Sequence, residues 1–315
     1  MQFFTSFSLN VTVNILILIF AIALLWKGAD NLVESASKIA ETFGISDLVI
    51  GLTVVAFGTS APEFAVTINA AVKQQANISV GNIVGSNIFN LGFILGSVAI
   101  VKSIQTTKKL VYRDGIFMIS ITFLLLFFFR DLYLAVYEGI ILCSLLVGYL
   151  VMLFIKKEPM EEEIIHAKAT VKDYIILPIS IIAVIAGGHL LVDSSSWLAK
   201  SAGISDWVIG VTIVAAGTSA PEMATSLAAV LKGKHGMSAG NLIGSDLFNI
   251  LGVLGLAGII NPMKIAPEAY SSLLMLSGMV ILVIVFMRIG WRLNRWNGFV
   301  LVGIGVTRWI MDFVK

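Results

Sequence analysis

Two glutamates stand in matching places of this chain, each closing the hexapeptide Gly-Thr-Ser-Ala-Pro-Glu, at Gly58 to Glu63 and Gly217 to Glu222. Both copies lie in stretches apolar enough to cross a membrane. A bare carboxylate in hydrocarbon survives only where it faces a cavity and meets a counter-charge. A matched pair therefore implies a cation site. Pro62 and Pro221 lie mid-span, where proline removes an intrahelical hydrogen bond and leaves carbonyls unpaired. Such carbonyls, with the hydroxyls of Thr59, Ser60, Thr218 and Ser219, suit hard cations such as Na+ and Ca2+. A structural kink would account for the prolines alone, but not for a glutamate after each.

A second motif follows in each half, Gly81-Asn-Ile-Val-Gly-Ser-Asn-Ile-Phe-Asn90 and Gly240-Asn-Leu-Ile-Gly-Ser-Asp-Leu-Phe-Asn249. Ser86 and Asn90, like Ser245 and Asn249, are four apart and share a helix face, so they can supply further oxygens. An interhelical hydrogen bond is the plainer role for the two asparagines. Gly81 and Gly85, with Gly240 and Gly244, form small-xxx-small patterns that let helices approach closely. Asp246 breaks the match, because its counterpart is Asn87. It is a candidate third acidic ligand, a titrating group or a residue at the cavity rim. Asp30 and Glu34, with their counterparts His189 and Asp193, fall near the ends of the first span of each half and read as solvated or capping groups. Phe89 and Phe248 read as packing. The three histidines form no cluster for a transition metal, and the single Cys143, in an apolar span, excludes an internal disulfide.

The elements that carry these residues are repeated. A shift of 159 positions lays Gly44 to Glu63 on Gly203 to Glu222 without a gap, with 16 of 20 positions identical. A hydrophobic fraction of 58%, charged residues at 13% and a mean hydropathy of +0.96 place the 315-residue chain among multispan membrane proteins. Apolar runs predict ten spans, near 11–26, 48–72, 78–101, 114–129, 134–155, 173–192, 206–231, 237–260, 269–287 and 296–314. Fifteen of the 21 Lys and Arg residues fall in the loops after the odd-numbered spans, which sets those loops in the cytoplasm and both termini outside. The stretch before the first apolar run lacks the positive charge of a signal peptide.

Five spans per half is an odd number, so the second half enters the membrane the opposite way up. The expected fold is an all-α polytopic membrane protein with ten transmembrane helices in two inverted five-helix repeats. Residues 1–155 make the first repeat, with its motifs within 51–96. Residues 156–172 make a cytoplasmic linker, whose Glu161, Glu162 and Glu163 read as a solvated loop. Residues 173–315 make the second repeat, with motifs within 210–255. Inverted repeats sharing a midplane site recur in secondary transporters, though channels also use them.

At the two motifs of each half the chain resembles the calcium/cation antiporter superfamily, most closely its prokaryotic sodium/calcium exchanger branch, over nearly its whole length. The resemblance implies that Glu63 and Glu222 bind both Ca2+ and Na+. It also implies that oxygens at Thr59, Thr218, Ser86 and Ser245, the side chains of Asn90 and Asn249, and the carbonyls of Ala56 and Ala215 complete the ion sites. The first and sixth helices are expected to slide past a fixed bundle. Some relatives carry an acid at the position of Asn249, associated with K+ transport in the potassium-dependent branch. Asparagine at both 90 and 249 resembles the potassium-independent kind, and Asp246 departs from the family pattern. The expected activity is Na+/Ca2+ exchange in the plasma membrane. No cofactor, nucleic acid or protein partner is expected beyond the ions and the bilayer. A Ca2+/H+ antiporter using the same glutamates stays open, as does a passive cation channel. A hydrolase using Ser60 or Ser219 lacks a histidine or lysine base in either motif.

Overall fold

The computed structural model describes residues 2–155, 169–204, 213 and 215–314, and these are mostly helical, as an apolar chain in lipid must be to satisfy its backbone. Helix α1 spans Gln2–Phe43. Gly44, in the left-handed region at φ 66°, turns the chain, and the Ser46 hydroxyl caps the next helix by accepting the Val49 N–H at 3.3 Å. That helix, α2 (Asp47–Thr59), meets α3 (Ala61–Val72) at a 52° bend. Pro62 is tolerated because it lies in the first turn of α3, where its missing N–H has no intrahelical acceptor to serve.

Next come α4 (Ala76–Val101), α5 (Leu110–Asp131), α6 (Val136–Ile155) and α7 (Val171–Ser201). The short α8 (Ala215–Thr218) leads through Ser219 into α9 (Ala220–Leu231), again with proline in the first turn. The chain ends with α10 (His235–Ile260), α11 (Pro267–Trp291) and α12 (Arg295–Val314). Helices α3, α4 and α6 fall on α9, α10 and α12 under the 159-residue shift to the residue. The left-handed turn positions repeat as well, Gly44 with Gly203, Gln74 with Gly233 and Leu132 with Trp291.

Among the described residues seven helices are long and apolar enough to cross a membrane, and the bent pair α2 and α3 makes an eighth. The chain is a multi-pass membrane protein. The expected span 206–231 is described only from Ala215 onward, apart from residue 213, and most of the linker, Glu161 to Glu163 included, lies outside the described residues. Two expectations need correction. The first spans of the halves are far longer than the apolar runs 11–26 and 173–192, since α1 and α7 continue to Phe43 and Ser201. The fold is also not purely helical. Four two-residue strands, β1 (Ile104–Gln105), β2 (Tyr133–Leu134), β3 (Met263–Lys264) and β4 (Arg292–Leu293), form two antiparallel pairs, β1 with β4 and β2 with β3. Runs of two residues leave no periodicity in the sequence.

The core is built on the second-motif helices. In α4 and α10, 72% of the most apolar window is buried, against 17% for α1 and 22% for α7, which pack on each other outside it. Glycines permit the close approaches. A Cβ on Gly240 or Gly244 would stand 2.7 Å from the Leu48 or Leu52 carbonyl, so α10 touches the α2 backbone directly. Between α1 and α7, Gly28 and its repeat counterpart Gly187 play the same part against Val184 and Leu25.

Candidate cation site

The helix breaks at Ser60 and Ser219 deliver the two glutamates to the middle of the bundle. Glu63 and Glu222 each lie in the first turn after a helix break, and both are completely buried. Each is held by a serine of the other half. Ser219 donates to Glu63 Oε1 at 3.0 Å, and Ser60 donates to Glu222 Oε1 at 3.4 Å. Ser245 donates a second bond to Glu222 Oε1 at 3.1 Å, and its hydroxyl lies 2.8 Å from that of Ser60.

The second motif closes around them. At Asn90 and Asn249 the helices widen into π-helical turns, Asn90–Ile94 and Phe248–Leu254, a distortion frequent at functional sites. Asn90 Nδ2 donates to Ser245 Oγ at 3.4 Å and to Asp246 Oδ1 at 2.9 Å. Asn249 Nδ2 mirrors this, donating to Ser86 Oγ at 3.3 Å and to Asn87 Oδ1 at 3.0 Å. The Thr59 hydroxyl donates to Asn241 Oδ1 at 3.1 Å and to the Ala56 carbonyl at 3.3 Å, and the Ser60 N–H donates to that carbonyl at 3.0 Å. Thr218 is half-buried at the end of α8, whose first residue is Ala215.

This arrangement leaves a set of buried oxygens that receive no hydrogen bond: Oε2 of Glu63, Oε2 of Glu222, Oδ1 of Asn90, Oδ1 of Asn249 and Oδ2 of Asp246. Leaving one such acceptor unsatisfied costs about 1–3 kcal/mol, more when charged. Four of them, on Glu63, Glu222, Asn90 and Asn249, come from matching positions of the two halves and have the chemistry that binds a hard cation. Among the described residues no three His, Cys, Asp or Glu side chains are grouped to hold a metal.

Over residues 13–155 and 172–304 the chain matches the family model described as "Sodium/calcium exchanger protein". The chain belongs to the sodium/calcium exchanger family. Among its relatives, "Sodium/calcium exchanger MaX1" of Methanosarcina acetivorans is 33% identical, with 93% of this chain and 96% of that protein covered. "Inner membrane protein YrbG" of Escherichia coli is 34% identical, covering 92% and 91%. A solved structure of the sodium-calcium exchanger NCX_Mj superposes with a TM-score of 0.84 at 31% identity, covering 94% of this chain and 98% of that one.

Four positions that motif reading passed over take part in the exchanger's network. Asn82 Nδ2 donates to the Glu63 carbonyl at 3.3 Å and to Thr67 Oγ1 at 2.9 Å. Asn241 Nδ2 does the same to the Glu222 carbonyl at 3.4 Å and to Ser226 Oγ at 2.9 Å. The asparagine kept at both ends of the 159-residue shift, and the hydroxyl kept as Thr67 and Ser226, were the available signal. Asp30 and Glu34 are ion-paired with Lys232, at 2.7 and 3.7 Å, rather than simply solvated, and lie outside the site.

Proposed function

We propose that this chain is a secondary antiporter that exchanges Na+ for Ca2+ across the cell membrane by alternating access, with Glu63 and Glu222 as the charged pair. The carrying observation is the set of donor-free buried oxygens drawn from both halves. In this reading Ser86, Ser245, Thr59, Thr218, Ser60, Ser219 and the carbonyls of Ala56 and Ala215 line the same cage. Two carboxylates give a formal charge of minus two, which one Ca2+ or two Na+ neutralise. The neutral loaded form can occlude and cross, whereas the empty form cannot. A third Na+ would leave one positive charge in excess, worth about 2.3 kcal/mol per 100 mV.

Ten spans in two inverted repeats, 1–155 and 173–315, joined by the linker 156–172, are part of this proposal. The strand pairs support the inversion. The β1–β4 and β2–β3 pairs lie at opposite ends of α5, whose 22 residues separate them by about 30 Å. Under the 159-residue shift β1 becomes β3, so equivalent segments lie at opposite ends of the bundle. Charge distribution then sets the linker in the cytoplasm and both termini outside. Helices α1 and α7, touching through Gly28 and Gly187 outside the core, are suited to slide as a pair.

The test is 45Ca2+ flux in proteoliposomes with Na+, K+ and H+ gradients imposed separately. Uptake driven by outward Na+, and indifferent to K+, is the expected result. Uptake driven by a pH gradient in Na+-free buffer would establish a Ca2+/H+ antiporter instead. Flux that needs no counter-ion would establish a channel.

A further inference from the structure

Asn87 and Asp246 hold equivalent places in the two repeats, both completely buried, and each faces the asparagine of the opposite half. The amide N–H2 of Asn249 is taken up by Asn87 Oδ1 and Ser86 Oγ, and that of Asn90 by Asp246 Oδ1 and Ser245 Oγ. With the nitrogen ends engaged, the oxygen ends of Asn90 and Asn249 are the ones left without donors. Turning either amide over would set its oxygen against another acceptor, at the Asp246 carboxylate or the Asn87 oxygen. The acceptors at 87 and 246 thus decide which end of each amide faces the cage. Asn87 has only one acceptor end and is itself anchored, because its Nδ2 donates to the Asp246 backbone carbonyl at 3.1 Å. Asp246 accepts at either oxygen and cannot be the wrong way round.

We infer that Asn87 and Asp246 are positioning residues that turn the amide oxygens of Asn249 and Asn90 toward the transported ions. Asp246 acts through Asn90 rather than as a ligand. This rests on the exchanger reading above and assigns a task to the one acidic position that departs from the repeat. Ion specificity in this chain then depends on hydrogen-bond acceptors one step behind the ligands, and the charge at 246 is dispensable where its Oδ1 is not.

The experiment compares D246N, which keeps an acceptor at Oδ1, with D246L, which has similar bulk and none. Ca2+ affinity of the purified protein in Na+-free buffer and the KM of Na+-dependent 45Ca2+ uptake are both measured, with the melting temperature in detergent as a check on folding. D246N is expected to stay within about threefold of the parent, while D246L weakens Ca2+ binding by about 10- to 100-fold, the loss typical when a ligand's orienting partner is removed. N87L is expected to give the same loss from the other side, and serves if D246L does not fold. The double variant N90D/D246L should recover most of the affinity, because a carboxylate at 90 presents oxygen whichever way it turns. D246N failing as badly as D246L would overturn the inference in favour of a direct charge or ligand role, and an unaffected D246L would remove any role. If the parent protein binds Ca2+ but shows no Na+-dependent flux, the exchanger reading fails while the affinity comparison still decides the positioning role.

Discussion

The two halves of the site are built from one template but do not hold their carboxylates alike. Two hydroxyls converge on Glu222 Oε1, those of Ser60 at 3.4 Å and Ser245 at 3.1 Å, and they stand 2.8 Å apart, so either can pass its proton to the other while the other serves the carboxylate. Glu63 Oε1 receives one, from Ser219, because Ser86, the counterpart of Ser245, donates to its own helix at the Ile83 carbonyl, 3.2 Å away. A repeat therefore fixes where the oxygens stand, and single hydroxyl rotations decide how each carboxylate is shared. The half with Ser245 turned inward is the more tightly tied, and the half with Ser86 turned away has more freedom to meet an arriving ion.

The bluntest way to challenge that comparison is to neutralise each acid. E63Q and E222Q are each expected to lower Na+-dependent 45Ca2+ uptake by at least about 100-fold, since a lost carboxylate leaves a divalent ion half-compensated in a low-dielectric site. Near-normal uptake in either would remove the pair from the mechanism. Shortening each acid by one methylene separates the halves. E222D withdraws the carboxylate from two hydroxyls and E63D from one, so E222D is expected to raise the KM for Ca2+ more. The reverse order would show that the hydroxyl pattern does not govern affinity.

The serines sharpen the same contrast. S245A removes a donor to Glu222 and an acceptor for Asn90, and a net cost of about 1–2 kcal/mol predicts about a tenfold rise in KM. S86A removes one amide acceptor and a bond to its own helix, so a rise below about threefold is expected. Equal effects in the same flux assay would mean that Ser86 turns inward during transport.

How much of this the sequence discloses depends on the distance over which each signal acts. The paired glutamates, the helix breaks just before Pro62 and Pro221 and the serine-asparagine faces were legible because they are local patterns stated twice. The match between Asn90 and Asp246, or between Ser219 and Glu63, was not, because it joins residues more than 150 positions apart. Helix length was misread for a different reason. Lys27, Asp30, Glu34, Lys38 and Glu41 ended the apolar run, yet their spacings of three and four residues put them on one helical stripe. Lys232 and Lys234 pair with that stripe, and α1 continues through it.

That stripe gives the last and smallest contrast between the halves. Lys232 joins Asp30 at 2.7 Å and donates to the Asp30 carbonyl at 2.9 Å, clasping the outer helix α1 to the turn after α9. Its counterpart Lys73 faces His189 and Asp193 in the repeat order, and among the described residues no ion pair joins them. The clasp is about one-third exposed on both sides, so its worth is that of a screened surface pair, about 0–1 kcal/mol. K232Q is expected to lower the melting temperature in detergent by only a few degrees, with the difference fading at high salt. K73Q is expected to change nothing measurable. If α1 moves during exchange, the clasp must open, and K232Q should raise the turnover rate rather than the KM. A KM change without a rate change would assign Lys232 to the ion path and break the division between a fixed core and an outer, clasped pair.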